Sequence, residues 1–147
     1  MDQPIENYWK LKLSRVEAAL KLNNFDVHVV DSLEAAHETV REKILTAGDT
    51  KTVSFGGSMT VVKSGLYKSF LQRPDLEVID TMDPNVAPEE KVERRRQALL
   101  VDLFVTGTNA VTEAGQLVNL DMIGNRVGAL TFGPRKVVLL VGRNKIV

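Results

Sequence analysis

Residues 52–60 read Thr-Val-Ser-Phe-Gly-Gly-Ser-Met-Thr, and this stretch decides the fold because it joins a strand pattern to a helix pattern. Residues 52–55 predict a strand, and Ser58 begins a pattern that predicts a helix over residues 58–71. The two glycines between these patterns allow the backbone to turn tightly. The stretch therefore predicts one strand–helix unit of an α/β protein.

The same alternation extends in both directions from this unit. Before it we predict a helix over residues 3–23, a strand over 25–30, and a helix capped by Asp31 or Ser32 that runs to about Ala47 and stops at Gly48. After it we predict a strand over 76–80, a helix over 88–99 and a strand over 103–106. Repeated strand–helix alternation is typical of a mainly parallel sheet flanked by helices. We expect one such α/β domain over residues 1–147.

The pattern changes after Thr106. Residues 110–112 and 116–119 are short β-prone pieces around Gly115, and they predict a hairpin. We interpret the glycine-rich residues 124–134 as a connection. The apolar run over residues 137–141 is typical of a strand that is buried on both faces.

Composition excludes several classes of function. The chain has 19 basic and 19 acidic residues and no net charge, so it lacks the positive surface that binds nucleic acid. It has no cysteine, which excludes disulfides, thiolate metal sites and a thiol nucleophile within the chain. No apolar run approaches the ~20 residues of a membrane span, and no signal peptide is visible. We therefore expect a cytoplasmic protein.

The first candidate site is the turn after the strand over residues 52–55. Free backbone amides at a helix start favour an anion, and hydroxyl groups beside them add donors. The ligand-binding candidates here are Gly56, Gly57, Ser58 and Thr60. The alternative interpretation is a tight turn in which Ser58 only caps the helix.

The second candidate site is the polar stretch over residues 106–126. Its uncharged ligand-binding candidates are Thr106, Gly107, Asn109, Thr112, Asn119 and Asn125. Arg126 is the candidate clamp for a carboxylate or phosphate, and Glu113 and Asp121 are the candidate catalytic proton carriers. The alternative is that the asparagines satisfy turn backbone and that Glu113 lies at an exposed hairpin tip.

Several motifs occur together in the second half of the chain. They are Thr-Glu-x-Gly-x-Leu-Val-Asn-x-Asp over residues 112–121, Gly-Asn-Arg-Val over 124–127, Phe-Gly-Pro over 132–134 and Gly-Arg-Asn-Lys-Ile-Val over 142–147. With Gly-Gly-Ser-Met-Thr at 56–60 and Leu-Asn-Asn-Phe-Asp-Val-His-Val-Val at 22–30, they resemble the LUD-domain family of lactate-utilisation proteins.

The resemblance implies a fold similar to that of ribose-5-phosphate isomerase and the coenzyme A transferases. It also implies a system that oxidises L-lactate to pyruvate, in which partner oxidoreductase subunits carry the iron–sulfur clusters and this chain carries no cofactor or metal. Family members commonly continue into a cysteine-bearing tail that this sequence lacks, so we expect a short form or a truncated chain. A homo-oligomer is compatible with the resemblance.

Three functions follow as hypotheses. The first is a subunit or accessory of a lactate-oxidising complex that binds a small anionic molecule. The second is a stand-alone sugar-phosphate isomerase or acyl transferase that uses Glu113 as base or nucleophile. Isomerases of this fold have an aspartate where this chain has Asn109, and an amide cannot shuttle a proton in the same way. The third is a non-catalytic scaffold.

Overall fold

The computed structural model describes residues 3–45 and 49–147. It contains the strands β1 (Thr52–Phe55), β2 (Glu77–Ile79), β3 (Leu103–Thr106), β4 (Ala110–Val111), β5 (Leu117–Val118) and β6 (Lys136–Leu139). Four of them form a parallel sheet in the order β2-β1-β3-β6, and β4 and β5 form a separate antiparallel hairpin. The predicted fold class, a mainly parallel sheet flanked by helices, is confirmed.

Six α-helices lie between or before these strands in the described parts of the chain. They are α1 (Gln3–Leu22), α2 (Leu33–Thr39), α3 (Met59–Lys63), α4 (Leu66–Leu71), α5 (Pro88–Gln97) and α6 (Asn125–Thr131). A π-helical turn, Val40–Ile44, extends α2, and 3-10 turns follow at Ala98–Leu100 and Arg143–Lys145. In residues 3–45 and 49–147, no helix is long and apolar enough to cross a membrane.

The helices cover both faces of the sheet. On one face, Phe55 and Val105 pack with Val61, Leu66 and Phe70 from the connection between β1 and β2. On the other face, Phe104 packs with Ala98, Val101 and Ala129 from the two later connections. The chain therefore changes faces between β1 and β3. In open α/β sheets, ligands bind at such a switch point, outside the carboxyl ends of the strands.

The predicted strand over residues 25–30 is wrong. Within residues 3–45 and 49–147 they have no ladder partner, and Phe25, Val29 and Val30 are 39%, 47% and 38% exposed. A β-prone sequence forms a strand only where a neighbouring strand accepts its backbone hydrogen bonds. Ser32 caps the next helix as predicted, because its side chain accepts a hydrogen bond from the amide of Ala35. The predicted helix end at Ala47 and Gly48 lies outside the described residues.

Two further predictions about helices are wrong. The single helix over residues 58–71 is divided into α3 and α4 at Gly65, whose φ of +81° is left-handed. The connection over residues 124–134 contains α6: Gly124 (φ +80°) lies at its start, Gly133 lies beyond its end, and Gly128 is accommodated within the helix.

The strand predicted over residues 137–141 is also placed differently. Residues 136–139 form β6, which among the described strands pairs with β3 alone and lies at the edge of the sheet. Its residues are half-buried or exposed rather than buried on both faces. An apolar run identifies a strand but not its position in the sheet.

Candidate functional site

The carboxyl ends of β1 and β3 meet at the switch point of the sheet. The amide of Gly56, the first residue after β1, donates to the carbonyl oxygen of Val105 at 3.0 Å. A Cβ atom on Gly56 would lie 2.2 Å from Oγ1 of Thr106, the last residue of β3. Position 56 therefore requires glycine, because the two strand ends are in direct contact there.

A second close approach joins the same two segments. A Cβ atom on Gly107 would lie 2.9 Å from Oγ of Ser58 and 3.6 Å from the carbonyl oxygen of Leu140, which follows β6. Gly57 occupies the same turn, and Thr60 belongs to the first turn of α3. The structure thus brings Gly56 and Ser58 of the first segment against Thr106 and Gly107 of the second, and Gly57 and Thr60 lie next to them in the chain.

This junction, residues 56–60 with Thr106 and Gly107, offers unused hydrogen-bonding groups. Ser58 caps α3 by accepting from the amide of Val61 at 3.4 Å. Among the described residues, the amides of residues 57–60 have no protein acceptor. Oγ1 of Thr106 is buried and has no hydrogen-bond partner in the described structure. A cluster of backbone donors beside hydroxyl groups is suited to a small anion.

The side chains of Asn109, Asp121 and Arg126 form a second group, which is satisfied internally. Arg126 donates to Oδ1 of Asp121 through Nε at 2.9 Å and to Oδ1 of Asn109 through Nη2 at 2.5 Å. Asp121 also accepts from the amide of Val127 at 2.7 Å, and Asn109 accepts from the amide of Leu120 at 3.0 Å. Because its guanidinium bonds to Asp121 and Asn109, Arg126 holds the start of α6 against the preceding loop.

Of the remaining candidates, Thr112 and Asn119 adjoin the hairpin strands β4 and β5. Oγ1 of Thr108 donates to Oδ1 of Asn119 at 2.9 Å, and Oγ1 of Thr112 accepts from the amide of Gln116 at 3.1 Å. Asn125 is the first residue of α6. These contacts order the loop and the hairpin.

Glu113 and Asp121 are held by different partners. Glu113 lies at the hairpin tip, where its carboxylate is 2.9 Å from Nζ of Lys12 on α1. The hydrogen bond that Lys12 donates to the Glu113 carboxylate raises the pKa of Lys12 above its usual value. Asp121 is bound instead to Arg126 and α6. The two carboxylates therefore have different ion-pair partners in this structure.

A polar cluster at the carboxyl end of β2 was not among the predicted site residues. The hydroxyl of Tyr67 donates to Oδ2 of Asp80 at 2.8 Å, and Oγ1 of Thr81 donates to the carbonyl oxygen of Phe55 at 2.6 Å. Burial, followed by the hydrogen bond to Asp80, raises the pKa of Tyr67 to about 12. The position of Asp80 and Thr81 at the end of a predicted strand is the sequence signal that could have identified this cluster.

Two surface cavities lie away from the junction. One, of about 160 Å³, is lined by Tyr8, Leu11, Lys12, Arg15 and Glu113. The other, of about 250 Å³, is lined by Glu34, His37, Glu38, Arg41 and Ser64. Neither includes the unpaired amides or the buried hydroxyl. We therefore place the candidate site by chemistry and topology, at the junction, rather than by cavity volume.

Comparison with known proteins identifies the family. A family model described as the LUD domain matches residues 13–147, which include every candidate site residue and both strand ends of the junction. No curated protein and no solved structure matches the chain. Since the match covers most of the sequence, the chain belongs to the LUD domain family and is a lactate-utilisation-related domain.

Proposed function

We propose that this LUD domain binds a small carboxylate at the junction and serves as a subunit or accessory of an iron–sulfur system that oxidises L-lactate to pyruvate. The observation that supports the binding site most strongly is the contact between residues 56–58 and Thr106–Gly107 at the switch point of the sheet. Ligand sites of open parallel sheets concentrate at this position.

The chemistry of lactate suits the groups of the junction. Lactate carries one carboxylate, which backbone amides can bind, and one hydroxyl, which can exchange a hydrogen bond with a serine or threonine. The amides of residues 57–60 are the proposed carboxylate donors. The hydroxyl groups of Ser58 and Thr106 are proposed to orient the ligand. Glu113 and Asp121 receive no proton-transfer role here, because each is held in an ion pair outside the junction.

Electron transfer is assigned to other proteins in this proposal. The chain contains no cysteine, so its residues do not fit an iron–sulfur cluster, which proteins hold chiefly through thiolates. Lactate oxidation releases two electrons and two protons, and a partner subunit or a bound cofactor must accept the electrons. We therefore place the clusters on partner proteins and the small-anion site on this chain.

Ligand-induced stabilisation tests the binding site. The melting temperature is measured with L-lactate, pyruvate, ribose 5-phosphate and an acyl-coenzyme A, for the wild type and for Thr106→Val. A ligand at 100 times its Kd stabilises a protein by about 2.7 kcal/mol. We expect lactate or pyruvate to raise the melting temperature of the wild type, and the rise to be reduced in Thr106→Val.

The control is Thr131→Val, which removes a hydroxyl on α6 that donates to the carbonyl oxygen of Val127 at 2.8 Å. This variant should keep the full ligand response. Stabilisation by ribose 5-phosphate or the acyl-coenzyme A alone would favour the isomerase or transferase hypothesis. No response to any of the four would favour the scaffold hypothesis. Co-purification with an iron–sulfur oxidoreductase tests the subunit role separately.

A further inference from the structure

The cavity of about 160 Å³ lies between α1 and the tip of the β4–β5 hairpin, away from the junction. Most of the side chains that line it come from one face of α1, where they follow one another at the three- and four-residue spacing of a helix. They are Tyr8, Leu11, Lys12 and Arg15. Glu113 of the hairpin supplies the other wall. The cavity therefore exists only when the two segments are folded together.

The two walls are held together along the length of α1. Near its start, Nζ of Lys12 lies 2.9 Å from the carboxylate of Glu113. Farther on, a Cβ atom on Gly115 would lie 2.7 Å from the carbonyl carbon of Ala19, and Nδ2 of Asn23 donates to the carbonyl oxygen of Gly115 at 2.8 Å. A cavity with fixed walls loses little conformational entropy when a ligand enters it.

The lining of the cavity has a surplus of positive charge. Lys12 and Arg15 face the single carboxylate of Glu113, although the chain as a whole has no net charge. Lys12 is paired with Glu113, whereas Arg15 is exposed and has no ion-pair partner within residues 3–45 and 49–147. The positions three and four residues away from Arg15 on α1 hold no acidic side chain either. Its guanidinium is therefore available to bind a carboxylate through two parallel hydrogen bonds.

Apolar surface lies beside this charge. Tyr8 and Leu11 are 55% and 64% exposed. The ring of Tyr8 meets the ring of Trp9 edge-on, with centroids 5.5 Å apart, and Nζ of Lys12 lies 5.9 Å from the centroid of the Tyr8 ring. These contacts hold the Tyr8 ring beside the cavity. An aromatic ligand gains by covering such surfaces, because contact removes apolar area from water.

The volume of the cavity limits the size of its ligand. A protein cavity of roughly 150 Å³ holds one benzene ring. The cavity beside α1 is of that size, so it has room for a single ring and not for a nucleotide or a coenzyme A.

We propose that this cavity binds a small aromatic monocarboxylate, a single ring that bears one carboxylate group. The carboxylate pairs with Arg15, and the ring contacts Tyr8 and Leu11. Lys12 adds positive potential while it stays paired with Glu113. The carboxylate of Glu113 repels a second negative charge, so it selects against doubly charged ligands. This site is separate from the junction and does not rest on the function proposed for the junction.

Fluorescence of Trp9 tests the chemistry of the ligand, because Trp9 is the only tryptophan of the chain and its ring contacts that of Tyr8. The full chain is titrated with benzoate and with three comparison compounds. These are the neutral benzamide, acetate, which has no ring, and phenyl phosphate, which carries nearly two charges. We expect a saturable change with benzoate and about tenfold weaker binding of the others. No saturable response to benzoate, or equal or tighter binding of any comparison compound, would overturn the proposal.

A substitution at Arg15 tests the position of the carboxylate. Arg15→Gln removes the guanidinium and keeps a polar side chain on the exposed face of α1. We expect its affinity for benzoate to fall about tenfold. The matched control is Arg96→Gln, because Arg96 is also an exposed helical arginine, on α5, and it should bind benzoate as the wild type does. A folded Arg15→Gln variant with wild-type affinity would refute the proposed pairing.

Backbone amide chemical shifts locate benzoate on the wild type, so this measurement does not depend on how well a variant folds. We expect the largest changes at residues 8–15 and at Glu113. The same changes should occur in Thr106→Val, because Thr106 belongs to the junction. Largest changes at residues 56–60 would place benzoate at the junction and overturn the second site. The lactate response proposed for the junction would stand in that case, so the two proposals fail separately.

Discussion

The turn over residues 56–60 and the loop over residues 108–126 are both rich in polar groups, but they use them differently. In the turn, the backbone amides of residues 57–60 have no protein acceptor among the described residues. In the loop, Asn109, Asp121 and Arg126 bond to one another and to nearby backbone. A sequence shows how many polar groups a segment has. Only the structure shows whether they are already satisfied.

This difference assigns separate physical roles to the two segments. A loop whose hydrogen bonds are internal gains order from them and has little left to offer a ligand. A turn with unpaired donors beside a buried hydroxyl gains stability when a ligand supplies the acceptors. We therefore regard residues 108–126 as the support of the site and the junction as the site itself. The following predictions test this division of roles.

The largest effect is expected at Gly56. Gly56→Ala places a methyl group 2.2 Å from Oγ1 and 2.8 Å from Cβ of the buried Thr106. We expect the free energy of unfolding to fall by about 3 kcal/mol, as for severe overpacking. The matched control is Gly57→Ala, because a Cβ atom at position 57 meets nothing within 4 Å. Its free energy of unfolding should change by less than about 1 kcal/mol. Urea denaturation measures both, and equal effects would contradict the contact between the strand ends.

The next largest effect is expected at Arg126. Its side chain and that of Asp121 are only 16% and 10% exposed. Arg126→Ala leaves a largely buried carboxylate without its cation, and we expect a loss of about 2 kcal/mol in the free energy of unfolding. Arg96→Ala is the control. Arg96 is 77% exposed and 3.9 Å from Glu93, so its loss should cost less than about 1 kcal/mol. If Arg126→Ala instead kept full stability and lost the ligand response, Arg126 would bind the ligand directly. The loop would then belong to the binding site and would not only support it.

The sheet could be predicted from the sequence because local patterns determine its parts. Residues 52–55 and 103–106 alternate with helical patterns, and the structure places β1 and β3 at those residues. Patterns without a unique local meaning misled the prediction. Residues 25–30 resemble a strand but have no strand partner among the described residues, and residues 125–131 form α6 although they include Gly128. Strand pairing and sheet order depend on distant residues, so single segments do not reveal them.

The candidate site was predictable to a lesser extent. The sequence identified Gly56 and Ser58 by turn and cap chemistry, and the structure brings them against Thr106 and Gly107. It could not show that Arg126 is already paired, because the pairing depends on how the loop folds back on α6. The sequence also did not point to Tyr67 on α4, because its hydrogen-bond partner Asp80 lies after a different element, β2.

A smaller effect of opposite sign is expected at Thr106. Its Oγ1 is buried and has no partner in the part of the chain that the structure describes, so Thr106→Val removes an unsatisfied polar group at nearly constant volume. We expect the free energy of unfolding without ligand to rise by about 1 kcal/mol. Thr131→Val, on the exposed side of α6, should change it by less than about 0.5 kcal/mol. Thermal and urea unfolding measure the difference. A destabilised Thr106→Val would mean that the hydroxyl already has a hydrogen-bond partner. The polar groups of the junction would then be satisfied internally, as those of the loop are.

The smallest effect concerns Tyr67, which lies beside Phe55 at the same end of the sheet, with ring centroids 5.3 Å apart. Burial and the bond to Asp80 raise its pKa from 10.0 to about 12, so folding favours the neutral phenol. Between pH 10 and pH 12, the unfolded chain loses this proton before the folded chain does, and stability falls as pH rises. Tyrosinate absorbance of the wild type against Tyr67→Phe isolates the titration. Asp80→Asn should lower the pKa only in part, because burial is the larger cause. An ordinary pKa for Tyr67 would show that water reaches the phenol freely, and it would contradict the part-buried hydrogen bond from Tyr67 to Asp80.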